Sequence, residues 1–394
     1  MLGTRQITPH ISWVGVTDPD LRIFDIIIPT DWGTTYNAYL IKGEKTALVE
    51  TVKEAFFDEY LEKVKSLTDL EAIDYVVLNH TEPDHTGVLA TLLPLLPNAT
   101  VVGSRSAIQF AKAISNLDFP TQVVGEGDTI SLGNLSLRFI SAPFLHWPDS
   151  IFTYVPEEQV LFTCDAFGGH YCPAEGKLFD DEVEDFTPAL SVYFQAIMGP
   201  FKSYVLQAVA KIKDLEIKVI APSHGPVLRH QPWKYVHLYR DWAGQNGQVA
   251  GSVAVGFLSA YGYTRLLAET IAYELKSLGA SVNLFDLSVI SAEQAASAFH
   301  NAAGVLVGTP TLNRDAVPPV WLALAHLSAI VNRNKPASAF GAYGWSGEAV
   351  PMVLERLRSL GMKVMEPGLK VNFRPSEADL EQAKQFARDF HERL

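Results

Sequence analysis

Apolar and polar residues alternate in two different ways along the chain. Up to about residue 248, short apolar runs such as residues 75–78, 137–140 and 160–164 follow one another with few helical stretches between them. Such runs are typical of buried strands. Strands that are not separated by regular crossover helices favour two sheets packed between helices. The first part of the chain is therefore predicted to be an α/β sandwich, in which residues 24–28 form one of the strands.

From residue 252 onwards, strands and helices alternate regularly. The predicted strands cover residues 252–258, 282–285, 304–308 and 337–342, and the predicted helices cover residues 264–278, 319–331, 349–359 and 377–393. This alternation is typical of a doubly wound parallel sheet, whose ligands bind beyond the C-terminal ends of the strands. A small, polar stretch at residues 243–248 separates the two patterns. We therefore predict one domain at residues 1–248 and a second at residues 249–394.

Charge and cysteine content narrow the class of protein. The chain has 394 residues, with 31 Lys and Arg against 44 Asp and Glu, and a formal net charge of −13. This charge argues against nucleic acid or an anionic membrane surface as a partner. No apolar stretch has the length of a transmembrane helix, and the N-terminus lacks the apolar segment of a signal peptide. Cys164 and Cys172 form no Cys-x-x-Cys motif, which argues against a built-in rubredoxin or iron–sulfur module. We expect a cytoplasmic protein.

Four candidate metal ligands directly follow the predicted strand at residues 75–78: His80, Glu82, Asp84 and His85. Pro83 cannot join a strand ladder, so the chain turns here, and Asp84 is predicted to cap the helix that follows. Because alternate side chains of an extended segment face the same way, His80, Glu82 and Asp84 are directed to one side. This combination of imidazole and carboxylate groups favours a pair of metal ions. A polar loop with capping residues is the alternative interpretation.

Three further candidate ligands each follow an apolar run. They are His146 after residues 137–140, Asp165 after residues 160–164, and His224 after residues 219–222. A single Asp or His at the end of a strand often only caps a turn. Because α/β folds build sites where strand ends converge, we expect all these side chains to share one site.

The loop that carries the first four ligands resembles that of the metallo-β-lactamase superfamily, which reads His-x-His-x-Asp-His and has an αββα fold. Glu82 replaces the middle His, as in the flavodiiron proteins, and a carboxylate is a harder ligand that favours iron over zinc. The resemblance implies one iron bound by His80, Glu82 and His146, a second bound by Asp84, His85 and His224, and Asp165 as a bridge. In some family members the residue at the position of His146 turns away from the metal. His170 is either a hydrogen-bond donor beside the metals or a plain loop residue.

Three strand-end loops of the second part carry candidate cofactor contacts. The first consists of Ser259, Ala260, Tyr261, Gly262, Tyr263 and Thr264. Its hydroxyls and its free N–H groups at a helix start favour an anion, and it resembles the flavodoxin phosphate loop Ser/Thr-x-Tyr-Gly-x-Thr; a capped helix start is the alternative. The other two loops, which lie where flavodoxins hold the isoalloxazine ring, comprise Pro310, Thr311, Leu312 and Asn313, and Tyr343, Gly344, Trp345, Ser346 and Gly347. We expect Pro310, Leu312 and Trp345 to cover the ring faces, and Asn313 to bind its polar edge.

The resemblance covers nearly the whole chain and implies a flavodiiron oxidoreductase with FMN and two irons. Such an enzyme reduces dioxygen to water, nitric oxide to nitrous oxide, or both, with electrons from a separate rubredoxin-like carrier or reductase. The resemblance also implies a head-to-tail homodimer or a dimer of dimers. The alternative is a dizinc hydrolase with a flavodoxin-like regulatory domain, and a second alternative is an electron carrier without enzymatic activity. Metal analysis separates iron from zinc.

Overall fold

A computed structural model describes residues 3–244 and 249–394 of the chain. The chain forms two compact units, Met1–Gly244 and Gln245–Leu394. The predicted domain boundary lies between residues 248 and 249. Residues 245–248, which form most of the polar stretch that suggested this boundary, lie outside the described ranges. Within those ranges, none of the helices combines the length and the apolar character needed to cross a membrane.

The first unit contains two main sheets. Its strands are Arg5–Thr8 (β1), Ile11–Trp13 (β2), Val16–Asp18 (β3), Ile23–Phe24 (β4), Ile28–Pro29 (β5), Thr34–Tyr36 (β6), Tyr39–Lys42 (β7), Thr46–Val49 (β8), Ile73–Leu78 (β9), Thr100–Gly103 (β10), Thr121–Val123 (β11), Thr129–Ser131 (β12), Ser136–Ser141 (β13), Ile151–Val155 (β14), Val160–Cys164 (β15) and Val219–Pro222 (β16). Among the described residues, one sheet has the order β1-β2-β7-β8-β9-β10-β11 and the other has the order β12-β13-β14-β15-β16. β9 runs parallel to β8 and β10, and β15 runs parallel to β16, so the C-terminal ends of these strands lie at common sheet edges.

Helices cover the outer faces of both sheets. They are Phe57–Leu67 (α1), Pro83–Thr86 (α2), Leu89–Leu92 (α3), Arg105–Ser115 (α4), Thr187–Tyr193 (α5), Lys202–Ile212 (α6) and Pro232–Gly244 (α7). Between the sheets lies a core to which one sheet contributes Val77 and the other contributes Phe139 and Phe162. The outer face of the first sheet packs on α1 and α4, and that of the second sheet packs on α5, α6 and α7. The predicted αββα sandwich is confirmed.

The second unit is a parallel sheet with helices on both faces. Its strands are Val249–Phe257 (β17), Ser281–Asp286 (β18), Ala302–Gly308 (β19), Pro336–Tyr343 (β20), Lys363–Val364 (β21) and Leu369–Asn372 (β22), and its helices are Tyr263–Ser277 (α8), Ala292–Asn301 (α9), Pro318–Ala325 (α10), Ala329–Asn332 (α11), Ala349–Ser359 (α12) and Glu377–His391 (α13). In the described residues the strand order is β18-β17-β19-β20-β21, and β22 also pairs with β20. The predicted flavodoxin-like doubly wound sheet is confirmed. The single helix predicted at residues 319–331 is wrong, because the chain leaves α10 after Ala325 and restarts at α11, where Ser328 caps the new helix.

The strand predicted at residues 24–28 is also wrong. The segment is a hairpin, in which β4 pairs with β5 across a turn made by Asp25, Ile26 and Ile27. Asp25 and Ile26 have positive φ angles of 46° and 57°, which reverse the chain. Phe24 is buried, whereas Ile26 is 92% exposed, so a continuous apolar run of sequence does not correspond here to a buried strand.

Candidate active site

The loop between β9 and α2 carries its candidate ligands into the protein interior. His80 and His85 have no exposed surface, and Asp84 is 7% exposed. The prediction that Asp84 caps a helix is wrong, because α2 begins at Pro83 and Glu82 occupies the capping position without a side-chain bond. Asp84 instead lies in the first turn of α2, where its carboxylate faces the His224 imidazole.

Four of the predicted ligands form a first donor group: His80, Glu82, His146 and Asp165. One ligand atom from each lies within 4.8 Å of the others. Glu82 Oε2 is 2.9 Å from His146 Nε2 and 3.3 Å from His80 Nε2. Asp165 Oδ2 is 3.4 Å from His146 Nε2 and 3.5 Å from His80 Nε2. Both imidazoles therefore direct the same ring nitrogen toward the same two carboxylates.

The other three predicted ligands, Asp84, His85 and His224, form a second donor group. The Nε2 atom of His224 is 3.1 Å from Asp84 Oδ2, and that of His85 is 3.4 Å from Asp84 Oδ1. Asp165 Oδ1 also faces this group, at 3.0 Å from His85 Nε2 and 3.4 Å from His224 Nε2. The two oxygens of Asp165 thus face different donor groups.

The donor groups fit cations. Both oxygens of Asp84, together with Asp165 Oδ2, are buried and have no hydrogen-bond partner in the described part of the chain, despite the nearby imidazoles. Buried carboxylates are costly unless a positive charge or hydrogen bonds compensate them. Burial acts to lower the pKa of His85, but the carboxylates of Asp84 and Asp165 outweigh this effect and raise that pKa to about 9. The pocket therefore attracts positive charge, as a site for metal cations must.

Hydrogen bonds behind the imidazoles fix which ring nitrogen faces the pocket. His80 Nδ1 donates to the Asp149 carboxylate, with both oxygens at 3.3 Å, and Asp149 also accepts a hydrogen bond from Thr81 Oγ1 at 2.8 Å. His224 Nδ1 donates to the Thr35 carbonyl at 2.7 Å. In both residues Nε2 is left free to bind a metal, which is the usual role of such partners. Asp149 was not predicted, since an Asp before a strand carries no distinctive sequence signal.

Two further carboxyl groups near the pocket were also missed. Glu50 follows β8, is 1% exposed and accepts a hydrogen bond from the backbone N–H of Asn79, which holds the start of the ligand loop. Burial raises the pKa of Glu50 to about 8. Partial burial, followed by the neighbouring Glu82, raises the pKa of Asp25 to about 7. No sequence pattern links either residue to the ligand loop.

The structure places His170 beside His224, outside both donor groups. The two ring centroids are 5.1 Å apart, and rings of Phe24 and Tyr193 pack on His170 at 4.4 and 4.8 Å. Its Nδ1 atom is 3.1 Å from Thr34 Oγ1, whereas its buried Nε2 has no partner among the described residues. Burial and then the His224 charge hold the pKa of His170 well below its ordinary value. A neutral His170 thus borders the pocket.

The predicted phosphate loop lies between β17 and α8. Ser259 Oγ is buried and has no hydrogen-bond partner within the described ranges. Gly262 has a φ of 83°, and the space that a side chain would occupy there is open. Thr264 is 1% exposed and its hydroxyl accepts a hydrogen bond from the Ala342 N–H at 3.3 Å. An unpartnered hydroxyl beside open space at the start of a helix fits a phosphate group.

The two predicted ring loops follow β19, which pairs with β17, and β20, which pairs with β19. Pro310 and Thr311 are buried, whereas Leu312 is 45% and Trp345 74% exposed. Phe373 follows β22 and is 58% exposed, and its backbone N–H donates to the Tyr343 carbonyl. All these loops lie at the C-terminal edge of the same parallel sheet. Among the other predicted contacts, Asn313 and Gly347 have positive φ angles. The Ser346 hydroxyl donates a hydrogen bond to the Glu348 carboxylate.

Comparisons with known proteins agree with this two-part description. A family model described as "ODP family beta lactamase" matches residues 34–225, and a flavodoxin model matches residues 255–386. The flavo-diiron protein FprA2 of Clostridium acetobutylicum is 41% identical over 394 residues, which is 98% of each chain. The nitric oxide reductase of Moorella thermoacetica is 39% identical over 395 residues, again 98% of each chain.

Solved structures agree as well. The rubredoxin oxygen:oxidoreductase of Desulfovibrio gigas matches with a TM-score of 0.69 and 30% identity, covering 99% of this chain and 98% of that one. The flavodiiron protein of Giardia intestinalis matches with a TM-score of 0.67 and 31% identity, covering 100% and 97%.

Proposed function

This chain belongs to the flavodiiron protein family and is an oxidoreductase with FMN and a diiron centre as its cofactors, and we propose that it reduces dioxygen to water or nitric oxide to nitrous oxide. The similarity to a nitric oxide reductase and to a rubredoxin oxygen:oxidoreductase supports both substrates. The dizinc hydrolase considered from the sequence is not favoured by these relatives.

The seven predicted ligands are the residues proposed to hold the two irons. His80, Glu82 and His146 hold one iron, Asp84, His85 and His224 hold the other, and Asp165 lies between them. The observation that carries this assignment is the position of Asp165, whose Oδ1 faces one donor group and whose Oδ2 faces the other. A carboxylate in this position would contribute negative charge to both cation sites. When bound, the iron pair supplies electrons and Lewis acidity to a small diatomic molecule.

The residues around the ligands keep this site dry and orient it. Asp149 and the Thr35 carbonyl hold His80 and His224 with Nε2 toward the pocket. The neutral His170 packs against Phe24 and beside His224 without adding positive charge. Burial of the ligands limits access of water, which strengthens the electrostatic effect of each carboxylate.

The second unit is proposed to hold FMN at the edge formed by the three predicted loops. The unpartnered hydroxyl of Ser259 and the backbone of residues 260–264 are suited to the phosphate. Trp345, which is largely exposed, and Leu312, which is partly exposed, offer apolar surface to the ring. When bound at this edge, FMN would supply redox chemistry for the reduction.

The electron donor and the assembly are further parts of the proposal. Four electrons and four protons convert dioxygen to two waters, whereas two electrons and two protons convert two nitric oxides to nitrous oxide and water. We infer a separate donor, such as a rubredoxin or a reductase, a head-to-tail homodimer or dimer of dimers, and a cytoplasmic location. Sedimentation of the active protein tests the dimer, which a fully active monomer would contradict.

Metal analysis combined with gas consumption tests the function. Protein purified from iron-replete cells should contain two irons and one FMN per chain. With a reduced artificial donor and no oxygen, it should consume nitric oxide; in a separate anaerobically prepared sample, it should consume added dioxygen. Two zincs per chain and no reductase activity with either gas would contradict the proposal.

A further inference from the structure

We propose that Asn37 is a positioning residue for the second donor group, and that it holds the loop carrying His224 in the place where that side chain can bind iron. This inference rests on the proposed function, because it concerns the iron assigned to Asp84, His85 and His224. Asn37 lies far from His224 in sequence, and only the fold brings the two together.

Asn37 lies where the two main sheets of the first unit meet. It directly follows β6 and precedes β7, a strand of the first main sheet. His224 belongs to the His224 loop, residues 222–225, which begins at the end of β16 in the second main sheet. Asp84 and His85, by contrast, follow β9 of the first main sheet. The second donor group therefore combines ligands from both sheets, and its geometry depends on how the sheet edges are held together.

Asn37 donates hydrogen bonds to three of the four carbonyl groups of the His224 loop. Its side-chain Nδ2 donates to the Pro222 carbonyl at 2.8 Å and to the Gly225 carbonyl at 2.9 Å. Its backbone N–H donates to the Ser223 carbonyl at 2.8 Å. One residue thus holds the backbone on both sides of His224, which fixes the direction in which the imidazole leaves the loop.

Trp13 fixes the orientation of the Asn37 amide. Its indole Nε1–H donates to Asn37 Oδ1 at 2.8 Å, and neither side chain has any exposed surface. An indole N–H can only donate a hydrogen bond, and a backbone carbonyl can only accept one. The amide oxygen must therefore face Trp13, and the amide nitrogen must face the His224 loop. Because these atoms are buried, water does not replace a bond that is lost among them.

Residues next to Asn37 hold other parts of the same loop. His224 Nδ1 donates to the Thr35 carbonyl at 2.7 Å, and the Tyr39 hydroxyl donates to the Pro222 carbonyl at 2.7 Å. These bonds orient the ring and support the start of the loop. Asn37 differs from both neighbours, because its side chain bonds to residues on both sides of His224. Loss of the Asn37 amide should therefore free the loop to shift while the imidazole keeps its own partner.

A shift of the loop would act on one donor group and not on the other. His224 Nε2 is 3.1 Å from Asp84 Oδ2 and 3.4 Å from Asp165 Oδ1. Metal ions bind their ligands within about 0.2 Å of set distances, so a displaced imidazole binds weakly. The first donor group contains no residue of the His224 loop. Asn37 should therefore affect the iron at the second donor group selectively.

Release of iron to a chelator tests the proposal. Wild type, Asn37→Asp, Asn37→Leu and the control Asn98→Asp are reduced anaerobically and mixed with a ferrous chelator whose absorbance reports release. Asn98 is an exposed amide that donates to the Glu71 carbonyl at 2.8 Å, so the control loses the same kind of bond elsewhere. We expect both Asn37 variants to release one of two irons about tenfold faster than wild type and control. Equal release rates in all four proteins, or equal acceleration of both irons, would overturn the inference.

Mössbauer spectra identify which iron is affected. In Asn37→Leu one quadrupole doublet should change, and it should be the doublet missing from His224→Ala, not the one missing from His146→Ala. No change, or a change confined to the other doublet, would overturn the inference. If wild-type protein contains no iron after iron-replete growth, the proposed function itself fails. If wild-type protein contains two irons and the Asn37 variants do not differ from it, only the role of Asn37 fails.

Trp13→Phe tests the same role from the other side of the amide, and it decides the question if the Asn37 variants do not fold. It removes the N–H that orients the Asn37 amide and leaves the donors to the loop in place. We expect it to release the same iron roughly fivefold faster than wild type. Added to Asn37→Leu, it should cause no further acceleration, because the amide that it orients is gone. An unchanged release rate in Trp13→Phe, or additive effects of the two substitutions, would contradict the proposal.

Discussion

The donor groups of the first unit and the cofactor loops of the second unit occupy comparable places, at the C-terminal ends of strands, but they differ in exposure. His80, His85 and Asp165 are no more than 1% exposed. Tyr261, at 80%, and Trp345, at 74%, are largely open to solvent. The first site is thus enclosed by the protein, whereas the second leaves aromatic surface that a flat ligand would cover.

The difference follows from what each ligand requires. A metal ion needs several charged or polar atoms within a few ångströms, so the fold must hold them in place against their mutual repulsion and their desolvation. A flavin ring is large and apolar on its faces, so exposed rings and backbone groups at a sheet edge suffice to bind it. Large apolar side chains grouped at a surface usually mark such a binding place.

The largest expected effect separates the two sites completely. Asp165→Ala removes the carboxylate that faces both donor groups, so the protein should lose both irons while it retains FMN. Elemental analysis measures the iron, and absorbance of the released flavin measures FMN. Asp165→Asn, which keeps the size but not the charge, should also lose iron. A variant that loses flavin and keeps two irons would overturn this division between the units.

A smaller effect is expected from changing a residue that forms a hydrogen bond to one of the proposed ligands. Asp149→Asn leaves the ligand set intact but weakens the hydrogen bond that orients His80. Partners of this kind typically contribute 10- to 100-fold to metal affinity, so we expect a loss of about that size. Competition with a chelator measures the affinity, and Asp31→Asn, at an exposed carboxylate of the first unit, is the control. An unchanged iron affinity would show that the core alone orients His80.

For the exposed site, the corresponding test is Ser259→Ala. The buried Ser259 hydroxyl has no partner in the described residues, and a hydrogen bond to a charged phosphate typically contributes about 1.5–3 kcal/mol. We therefore expect FMN to dissociate at least about tenfold more readily, as measured by recovery of free flavin fluorescence on dilution. Iron content should not change. The control is Ser277→Ala, since Ser277 lies at the other end of α8 and donates to the Glu274 carbonyl.

The two regions also differ in what their sequences predict. Four ligands lie in one loop, and His146, Asp165 and His224 each follow an apolar run, so local pattern was enough to propose all seven. The structure brings these seven together in two adjoining groups. Asp149, Glu50 and Asp25 were missed because each reaches the pocket only through tertiary contacts, and a carboxylate near a strand end has no distinctive neighbours.

The errors have a related cause. Residues 24–28 were predicted to be a strand because they are apolar, but the fold uses Phe24 alone for burial and turns Ile26 and Ile27 outward. Asp84 was predicted to be a cap from its distance to the helix, whereas its carboxylate faces His224. In both cases the local sequence predicts a purely structural role, whereas in the fold the residues contribute to the candidate site. The two-domain α/β fold class was predicted correctly, because long stretches of regular pattern determine it.

The smallest effect we predict concerns stability, and it belongs to the second unit alone. His300 Nε2 accepts a hydrogen bond from the Ser328 N–H at 3.0 Å, which requires a neutral ring. Burial, followed by the nearby Lys335 charge, lowers the pKa of His300 from its ordinary 6.5 to about 4. Between these values the unfolded chain binds the proton and the folded chain does not. Stability should therefore fall as the pH decreases from about 6.5 toward 4.

His300→Gln keeps a hydrogen-bond acceptor at this position and removes the titration. Because His300 is only partly buried, we expect its contribution to amount to about 1 kcal/mol between pH 7 and pH 5. Urea unfolding, monitored by the release of FMN, measures this contribution to stability. The control is His326→Gln, which replaces a more exposed histidine of the same unit. Between pH 7 and pH 5, the wild type and the control should lose about 1 kcal/mol more stability than His300→Gln. An identical pH dependence of stability in all three proteins would contradict this prediction. It would mean that His300 binds a proton as readily in the folded second unit as in the unfolded chain, so that the Ser328 hydrogen bond does not hold the ring neutral.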